Sequence, residues 1–371
     1  MTAPDRHCRW GILGTAQIAR KNWAAIRRSG NGRLVAVASR SVERSQSFIA
    51  ACQAEVPCDP APQAVGSYQE LLQRDDVDAV YIPLPTGIRG EWVIRAAEAG
   101  KHVLVEKPVG VNSAEVARML DACRRRNVQF MDGVMFMHSR RLEQMRRVLD
   151  DGTSVGTLRR IASQFSFRGS PEFLQQNIRV SSALEPLGCL GDLGWYNIRL
   201  TLWAVRYQMP LKVVAHLLAE ARRPDCAASV PLEFSAEFFF PHGVSATFFC
   251  SFQAENQQWA VLSGDRGFLH VPDFVLPFYG CETAFSVTNA VFHQDGCRFH
   301  MEDHTRRHAV AEYSDGHASA QETQLFRSFS ALVLSGRVDP HWGEIALKTQ
   351  QVLDACLTSA REEGRPVAVT A

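Results

Sequence analysis

The fold is decided first by the segment WGILGTAQIA at residues 10–19. A short apolar run leads into a turn at Gly14, and helical spacing starts at Gln17. From Gly14 the pattern reads G-x-A-x-x-A, a dinucleotide fingerprint with alanine at its second and third small positions. Such turns place pyrophosphate against backbone N–H groups at a helix start, although small residues also serve strand–helix packing. We predict cofactor contacts from Gly11, Gly14, Thr15, Ala16, Gln17 and Ile18.

The first third of the chain repeats this alternation of strand-like and helical segments. Four further apolar runs start at Leu34, Ala79, Val103 and Val128. Strict alternation predicts a parallel sheet with helices on both faces. After about Asp132, strand-like runs follow one another without helices between them, which indicates a mostly antiparallel open sheet. We predict an α/β protein with a Rossmann dinucleotide-binding domain over 1–133 and an α+β domain over 134–371.

Charge and composition exclude several classes of protein. The 371 residues include 40 basic and 39 acidic ones, too even a balance for nucleic acid or an anionic membrane as main partner. No apolar stretch approaches the roughly 18 residues of a membrane span. The polar segment from Met1 to Trp10 does not resemble a signal peptide, and the ten cysteines form no CxxC pair. We expect reduced thiols and a cytoplasmic location.

The end of the second strand indicates which dinucleotide binds. Sites for NAD usually carry a carboxylate there, whereas this chain has Ser39-Arg40-Ser41, with Arg44 one turn later. A carboxylate would repel a 2′-phosphate, and a guanidinium beside a hydroxyl can bind one. We predict that Ser39, Arg40 and Arg44 contact NADP(H), with NAD(H) as a second candidate. The alternative is an arginine on a solvated loop.

A lysine follows the strand at Val103 to Val105, in Glu106-Lys107-Pro108. Ligands of parallel sheets bind at this carboxyl edge. A lysine beside a nicotinamide can carry a proton while hydride moves. The alternative is an ordinary surface lysine that caps a strand, but the chain contains only five lysines.

A glycine-rich segment, GCLGDLGWYNIR at residues 188–199, has three glycines at spacings of three. Each costs about 1 kcal/mol in a helix relative to alanine, so close approach of another group is expected. On a helix Asp192 and Tyr196 share one stripe, with Trp195 at its edge. A carboxylate and a phenol one turn apart suit a polyhydroxylated substrate. The alternative is a glycine-assisted helix–helix contact with a buried Asp–Tyr pair.

In combination, these motifs resemble the glucose–fructose oxidoreductase/inositol dehydrogenase family. The resemblance lies in residues 10–14, 39–41, 68–72, 77–86, 96–108, 177–179 and 191–196. It is strong up to about Val205 and continues beyond only as a pattern. The branch that the sequence resembles includes D-xylose and dihydrodiol dehydrogenases.

The resemblance implies site residues and an assembly. It assigns proton transfer and substrate orientation to Lys107, Asp192 and Tyr196. It implies further cofactor contacts from Leu84, Thr86 and Glu106, and substrate contacts from Arg179, Trp195 and His138. It also implies a substrate-binding second domain whose open sheet forms a homodimer or homotetramer. The family usually has histidine where Arg89 stands and often arginine where His138 stands, so the substrate's identity is not transferred.

We therefore predict an NADP(H)-dependent oxidoreductase that moves hydride between nicotinamide and a carbinol or carbonyl carbon of a sugar, polyol or cyclic diol. The same fold also supports NAD-dependent glycoside hydrolysis with a recycled cofactor, and non-catalytic nucleotide sensing. A rival metal cluster, comprising Cys297, His300, His304 and His308, would share one face only on a helix. The intervening residues give no helical apolar face, so we predict no metal site there.

Overall fold

The computed structural model describes residues 6–369. These residues form two compact units. The first comprises the chain up to His138 together with 183–186 and 315–350, and the second comprises 139–182, 187–314 and the chain from Gln351 onward. The first continuous part of this unit ends at His138, close to the predicted boundary at residue 133. The unit also contains 183–186 and 315–350, which the sequence assigns to the second domain. None of the helices within 6–369 combines the length and apolar character needed to cross a membrane.

The strands and helices are numbered in chain order. The strands are β1 (Cys8–Leu13), β2 (Gly32–Ala38), β3 (Gln63–Val65), β4 (Ala79–Ile82), β5 (His102–Val105), β6 (Phe130–Asp132), β7 (Leu158–Ser166), β8 (Lys212–Ala221), β9 (Val230–Phe239), β10 (Ser245–Ser251), β11 (Ala260–Gly264), β12 (Phe268–Val271), β13 (Glu282–Thr288), β14 (Val291–Asp295), β15 (Arg298–Glu302), β16 (Thr305–Ala311) and β17 (Val367–Ala368). The α-helices are α1 (Gln17–Arg28), α2 (Val42–Glu55), α3 (Tyr68–Leu72), α4 (Thr86–Glu98), α5 (Ser113–Arg125), α6 (Arg140–Asp150), α7 (Pro171–Gln176), α8 (Trp195–Ala204), α9 (Gln321–Ser335) and α10 (His341–Arg361).

The first unit is built on a six-stranded sheet in the order β3-β2-β1-β4-β5-β6. Every neighbouring pair in it is parallel, which confirms the predicted Rossmann-type domain. Strands β2 and β3 follow on one side of β1, and strands β4 to β6 follow on its other side, so the strand order reverses between β1 and β4. The crevice outside the carboxyl ends at such a reversal is where ligands bind in open α/β sheets.

Helix α9 lies on this sheet although it comes from the far end of the chain. Trp10 is fully buried, with its ring 5.1 Å from that of Phe326 and 5.1 Å from that of Phe329. The indole N–H of Trp10 donates to Ser330 Oγ at 3.0 Å. A buried indole needs such a hydrogen-bond partner, and a parallel sheet needs apolar cover on both faces.

The second unit is built on a nine-stranded sheet in the order β16-β13-β12-β11-β7-β10-β9-β8-β17. Only β7 and β10 run parallel among its neighbours, so the predicted mostly antiparallel sheet is confirmed. Strands β9 and β10 alternate buried and half-buried residues, as a sheet with one covered face requires. Helix α8 is buried along its whole length. The predicted homodimer or homotetramer stays a prediction.

The chain between Phe285 and Phe292 passes from the large sheet into a separate hairpin. Strand β13 ends at Thr288, and a separate exposed hairpin of β14 and β15 begins at Val291. The helix that would gather Cys297, His300, His304 and His308 does not form. Polar and apolar residues alternate there with a period of two, which favours strands.

Candidate active site

The turn after β1 brings two loops of the first unit together. Gly14 has φ +118°, a conformation that only glycine adopts readily, and its N–H donates to the carbonyl of Ala38 at 2.8 Å. A Cβ on Gly14 would lie 3.0 Å from Leu84 Cδ2, in the loop after β4. Gly11 has a different reason to be small, since its Cβ would lie 2.7 Å from Leu71 Cδ2. The predicted residues Gly14 and Leu84 therefore meet at the reversal of strand order.

The start of α1 faces an open depression. Ala16 precedes the helix without a side-chain cap, and no acidic residue stands in its first turn. The depression is lined by Thr15, Gln17, Arg20, Glu43, Arg44, Ser47, Phe48 and Ala51. Thus Thr15, Gln17 and Arg44, all predicted to bind the cofactor, lie around one surface, whereas Ile18 packs against the hydrophobic core. Uncapped N–H groups at a helix start favour an anion there.

Positive charge gathers at the end of β2. Arg40 and Arg44 are exposed. Burial raises the pKa of Tyr68, and the positive charges of Arg40 and Arg44 partly offset that rise. Ser39 is buried and its hydroxyl donates to the carbonyl of Ser41 at 2.7 Å, so this donor is already used within the protein. The two guanidinium groups are therefore the groups at this strand end that could bind a phosphate.

Lys107 stands two residues after β5 and is partly exposed. The residue before it, Glu106, is buried, and its Oε1 accepts from the hydroxyl of Tyr81 at 2.6 Å. Its Oε2 accepts from the backbone N–H of Lys107 at 3.3 Å, and Asn22 Nδ2 donates to the Tyr81 oxygen at 2.6 Å. This chain of hydrogen bonds fixes the lysine's backbone. It also occupies the Glu106 carboxylate, for which a cofactor contact is predicted.

Arg89 in α4 connects the loops after β4 and β5. It is 3% exposed, and its Nε donates to the carbonyl of Leu84 at 2.8 Å. Its Nη1 donates to the carbonyl of Glu106 at 2.8 Å and also to that of Pro108. Burial lowers the pKa of Arg89, while the negative charges of Glu185 and Glu106 oppose the shift. The two carbonyls that flank Lys107 thus accept from one guanidinium. In the sequence, this role of Arg89 is indicated only by arginine at a position where the family usually has histidine.

We expect Arg89→Met to lower the free energy of unfolding by about 2–4 kcal/mol, because it leaves three buried carbonyls without their donor. Urea denaturation measures the change. Arg95→Met is the matched control on the same helix, since Arg95 is 45% exposed and pairs with Glu91 on the surface. The control should cost no more than about 1 kcal/mol. Equal losses in both variants would show that the buried contacts of Arg89 stabilise nothing.

Thr86 differs from its predicted role as a cofactor contact. It is fully buried at the start of α4. Its N–H donates to Glu185 Oε1 at 3.1 Å, and its hydroxyl donates to Glu185 Oε2. Both donors are therefore used within the first unit, and Thr86 does not belong to the candidate cofactor surface.

The glycine-rich segment of the second unit contains a π turn, Leu190–Gly194, directly before α8. Gly188 has φ +48°, and a Cβ on it would lie 2.2 Å from the carbonyl oxygen of Pro231 in β9. A Cβ on Gly194 would lie 3.4 Å from Cys250 Sγ in β10. Gly188 thus allows a close approach to the sheet, and the neighbours of Gly194 outside its own segment also lie in a strand and not in a second helix.

Arg179 and Asp192, both predicted as site residues, form an ion pair. Arg179 Nε lies 2.7 Å from Asp192 Oδ2, and their side chains are 45% and 15% exposed. Asn177 Oδ1 accepts from the backbone N–H of Arg179 at 3.0 Å. Tyr196 begins the next turn, 6% exposed, with its ring edge-on to Phe165 at 5.6 Å. The second unit therefore presents a partly exposed carboxylate with a guanidinium partner.

Trp195 and His138, the other two predicted substrate contacts, belong to different units. Trp195 is fully buried, with the Arg199 guanidinium 5.8 Å from its ring, and its substrate contact stays a prediction. A π turn changes the angular phase of the residues that follow it, and helical spacing read from the sequence misses this. His138 lies in the first unit, where it stacks on Trp342 at 4.7 Å.

Comparison with known proteins covers both units. Residues 8–134 match the family model of an oxidoreductase family with an NAD-binding Rossmann fold, and residues 142–270 match the GFO/IDH/MocA C-terminal domain. The chain is 28% identical to a dTDP-3,4-didehydro-2,6-dideoxy-alpha-D-glucose 3-reductase of Actinomadura kijaniata, over 95% of this chain and 96% of that one. It is 30% identical to trans-1,2-dihydrobenzene-1,2-diol dehydrogenase of Mus musculus, over 72% and 76%.

Among solved structures, the chain is similar to KijD10, a 3-ketoreductase from Actinomadura kijaniata in complex with NADP and TDP-benzene. The TM-score is 0.78 at 27% identity, over 95% of this chain and 98% of that one. The family matches and the parallel sheet with its glycine turn agree with each other. This chain belongs to the GFO/IDH/MocA family of oxidoreductases.

Proposed function

We propose that the protein is an NADP(H)-dependent oxidoreductase that acts on a carbinol or carbonyl carbon of a carbohydrate or a cyclic diol. The observation that carries this proposal is the place of Lys107. It follows β5 at the carboxyl edge of the sheet, beside the β1–β4 reversal that holds the Gly14 turn. Relatives that act on keto sugars and on dihydrodiols support the substrate class.

The first unit fits a dinucleotide phosphate. Gly14 puts no Cβ between the loop after β1 and the loop after β4. The uncapped start of α1 offers backbone N–H groups to the pyrophosphate. Arg40 and Arg44 would hold the 2′-phosphate, and Thr15 and Gln17 line the surface beside them. When bound, the cofactor gives or takes hydride at C4 of its nicotinamide.

Side chains of the protein would accept and donate the proton of the reacting hydroxyl group. In oxidation the substrate C–H bond breaks with loss of hydride. As the carbonyl forms, the hydroxyl proton passes to the neutral amine of Lys107, which becomes the ammonium. Tyr196 relays this proton, and Asp192 accepts a hydrogen bond from a substrate hydroxyl. Arg179 orients the Asp192 carboxylate through their 2.7 Å contact. In reduction the same groups act in reverse, with Lys107 as the acid.

A screen of aldoses, inositols, dihydrodiols and nucleotide-linked keto sugars, with both cofactors and in both directions, tests the substrate class. We expect NADPH absorbance to change in proportion to substrate turned over. Sugar turnover without net change in absorbance would instead support glycoside hydrolysis with a recycled cofactor. Cofactor binding with no turnover of any compound would support a nucleotide sensor.

Arg40→Ala is expected to weaken NADPH binding at least about tenfold and to leave NADH binding nearly unchanged, because one charge-assisted phosphate contact is lost. Fluorescence titration with each cofactor measures the ratio of affinities. Arg33→Ala, an exposed arginine near the start of β2, is the control and should leave the ratio unchanged. An unaltered ratio in Arg40→Ala would remove the basis for NADP(H) preference.

A further inference from the structure

The hairpin of β14 and β15 carries a cluster of imidazole and carboxylate groups on one face. His293 and His300 are opposite one another in the register, and Glu302 lies two residues beyond His300, on the same face. All three side chains are exposed. We propose that His293, His300 and Glu302 form a binding site for one divalent transition-metal ion of the Zn²⁺ type.

The distances suit such an ion. One ligand atom from each of the three residues lies within 4.8 Å of the others. Two ligands of a tetrahedral Zn²⁺ at about 2.0–2.1 Å are separated by about 3.4 Å. His293 Nε2 lies 3.2 Å from Glu302 Oε1, close to that separation. The rings of His293 and His300 stack with their centroids 4.7 Å apart. A rotation of the His300 ring would turn one of its nitrogens toward the ion and complete the three protein ligands.

A fourth residue orients the carboxylate. His304 Nε2 lies 2.9 Å from Glu302 Oε2, the oxygen that does not face His293. A hydrogen bond to the second oxygen of a ligating carboxylate fixes its direction, as outer contacts do in metal sites. The exposed face leaves the remaining coordination position to water.

The opposite face of the hairpin holds its register without a metal. Phe292 and Phe299 lie there, and their rings stack at 5.9 Å. A cross-strand aromatic pair stabilises a two-stranded ribbon, so the two histidines are opposite one another before an ion arrives. On the histidine face, Asp295 and Arg298 are opposite one another at the turn end and differ in the sign of their charge.

The ligand set selects the kind of ion. Imidazole nitrogen with one carboxylate suits Zn²⁺, Cu²⁺ or Ni²⁺, whereas Ca²⁺ and Mg²⁺ prefer sets made of oxygen alone. The site shares no residue with the proposed hydride-transfer site. It is also distinct from a helical Cys–His cluster, because Cys297 precedes β15 and His308 stacks on Phe285 at 4.9 Å.

Calorimetric titration of the metal-free full chain with Zn²⁺ tests the proposal. We expect His293→Asn and His300→Asn each to weaken Zn²⁺ binding at least about tenfold, since each removes one of three protein ligands. His242→Asn is the control: this histidine is exposed between β9 and β10, and its φ of 61° is one that asparagine tolerates. Equal affinity in all four proteins would overturn the site.

Thiols require a separate test, because Cys297 is exposed in the hairpin turn. Cys297→Ser should keep the Zn²⁺ affinity of the parent protein, and Co²⁺ bound to the parent should give no thiolate charge-transfer band. Loss of Zn²⁺ binding in Cys297→Ser, or a thiolate charge-transfer band with Co²⁺, would show that the cysteine is a ligand and would contradict the proposal. Circular dichroism of each metal-free variant confirms that the chain remains folded.

Discussion

Lys107→Ala is expected to lower kcat about a thousandfold while NADP(H) still binds, because general acid–base catalysis contributes about 10²–10⁴-fold. The side chain is the partly exposed amino group that follows β5, and its backbone is held by Glu106 and Arg89. Its removal leaves the oxygen of the reacting carbon without a proton donor or acceptor. Steady-state kinetics with a substrate from the screen, and fluorescence titration with NADPH, measure the two effects.

Lys212→Ala is the control for this variant. Lys212 is an exposed lysine at the start of β8, with its ammonium 5.0 Å from the ring of Phe239. Its loss should leave kcat within about twofold, as surface substitutions usually do. Near-normal turnover in Lys107→Ala would exclude the lysine as the acid–base group.

Tyr196→Phe is expected to lower kcat about a hundredfold, which is the lower range for loss of a proton-transfer group. The phenylalanine ring keeps the edge-on contact with Phe165 at 5.6 Å, so the packing of this ring is retained while the phenolic hydroxyl is removed. The pH profile of kcat distinguishes a relay from mere packing, since only loss of a relay changes its shape.

The tyrosine at position 279 supplies the matched control. Tyr279 is 98% exposed, and Tyr279→Phe should leave both kcat and its pH profile unchanged. If Tyr196→Phe were equally silent, the phenol would have only a packing role and the proton would pass from Lys107 to solvent by another route.

Patterns over short stretches of sequence predicted the structures that depend on neighbouring residues. The Rossmann-type sheet followed from alternating apolar runs and helical spacings, and Gly14 followed from the need for a tight turn at φ +118°. Strand β3 has three residues, too few for a periodic signal. The place of helix α9 on the first sheet depends on Trp10 and Ser330, which are far apart in the chain.

The candidate site was predicted incompletely for the same reason. Thr86 has the residue type for a phosphate contact, but Glu185 occupies its donors from a distant part of the chain. Helical spacing places Trp195 at the edge of the Asp192–Tyr196 stripe, but the segment before Trp195 forms a π turn, which changes the angular position of the residues after it. The role of Arg89 depends on backbone carbonyls, which no sequence pattern specifies.

Hydride transfer itself is tested by NADPH that carries deuterium in both hydrogen positions at C4 of the nicotinamide, incubated with the keto sugars and cyclic substrates of the screen. We expect NADPH to be oxidised and one deuterium to appear on the new carbinol carbon for each NADP+ formed. Product without deuterium, or deuterium that returns to the cofactor with no net oxidation, would contradict this expectation.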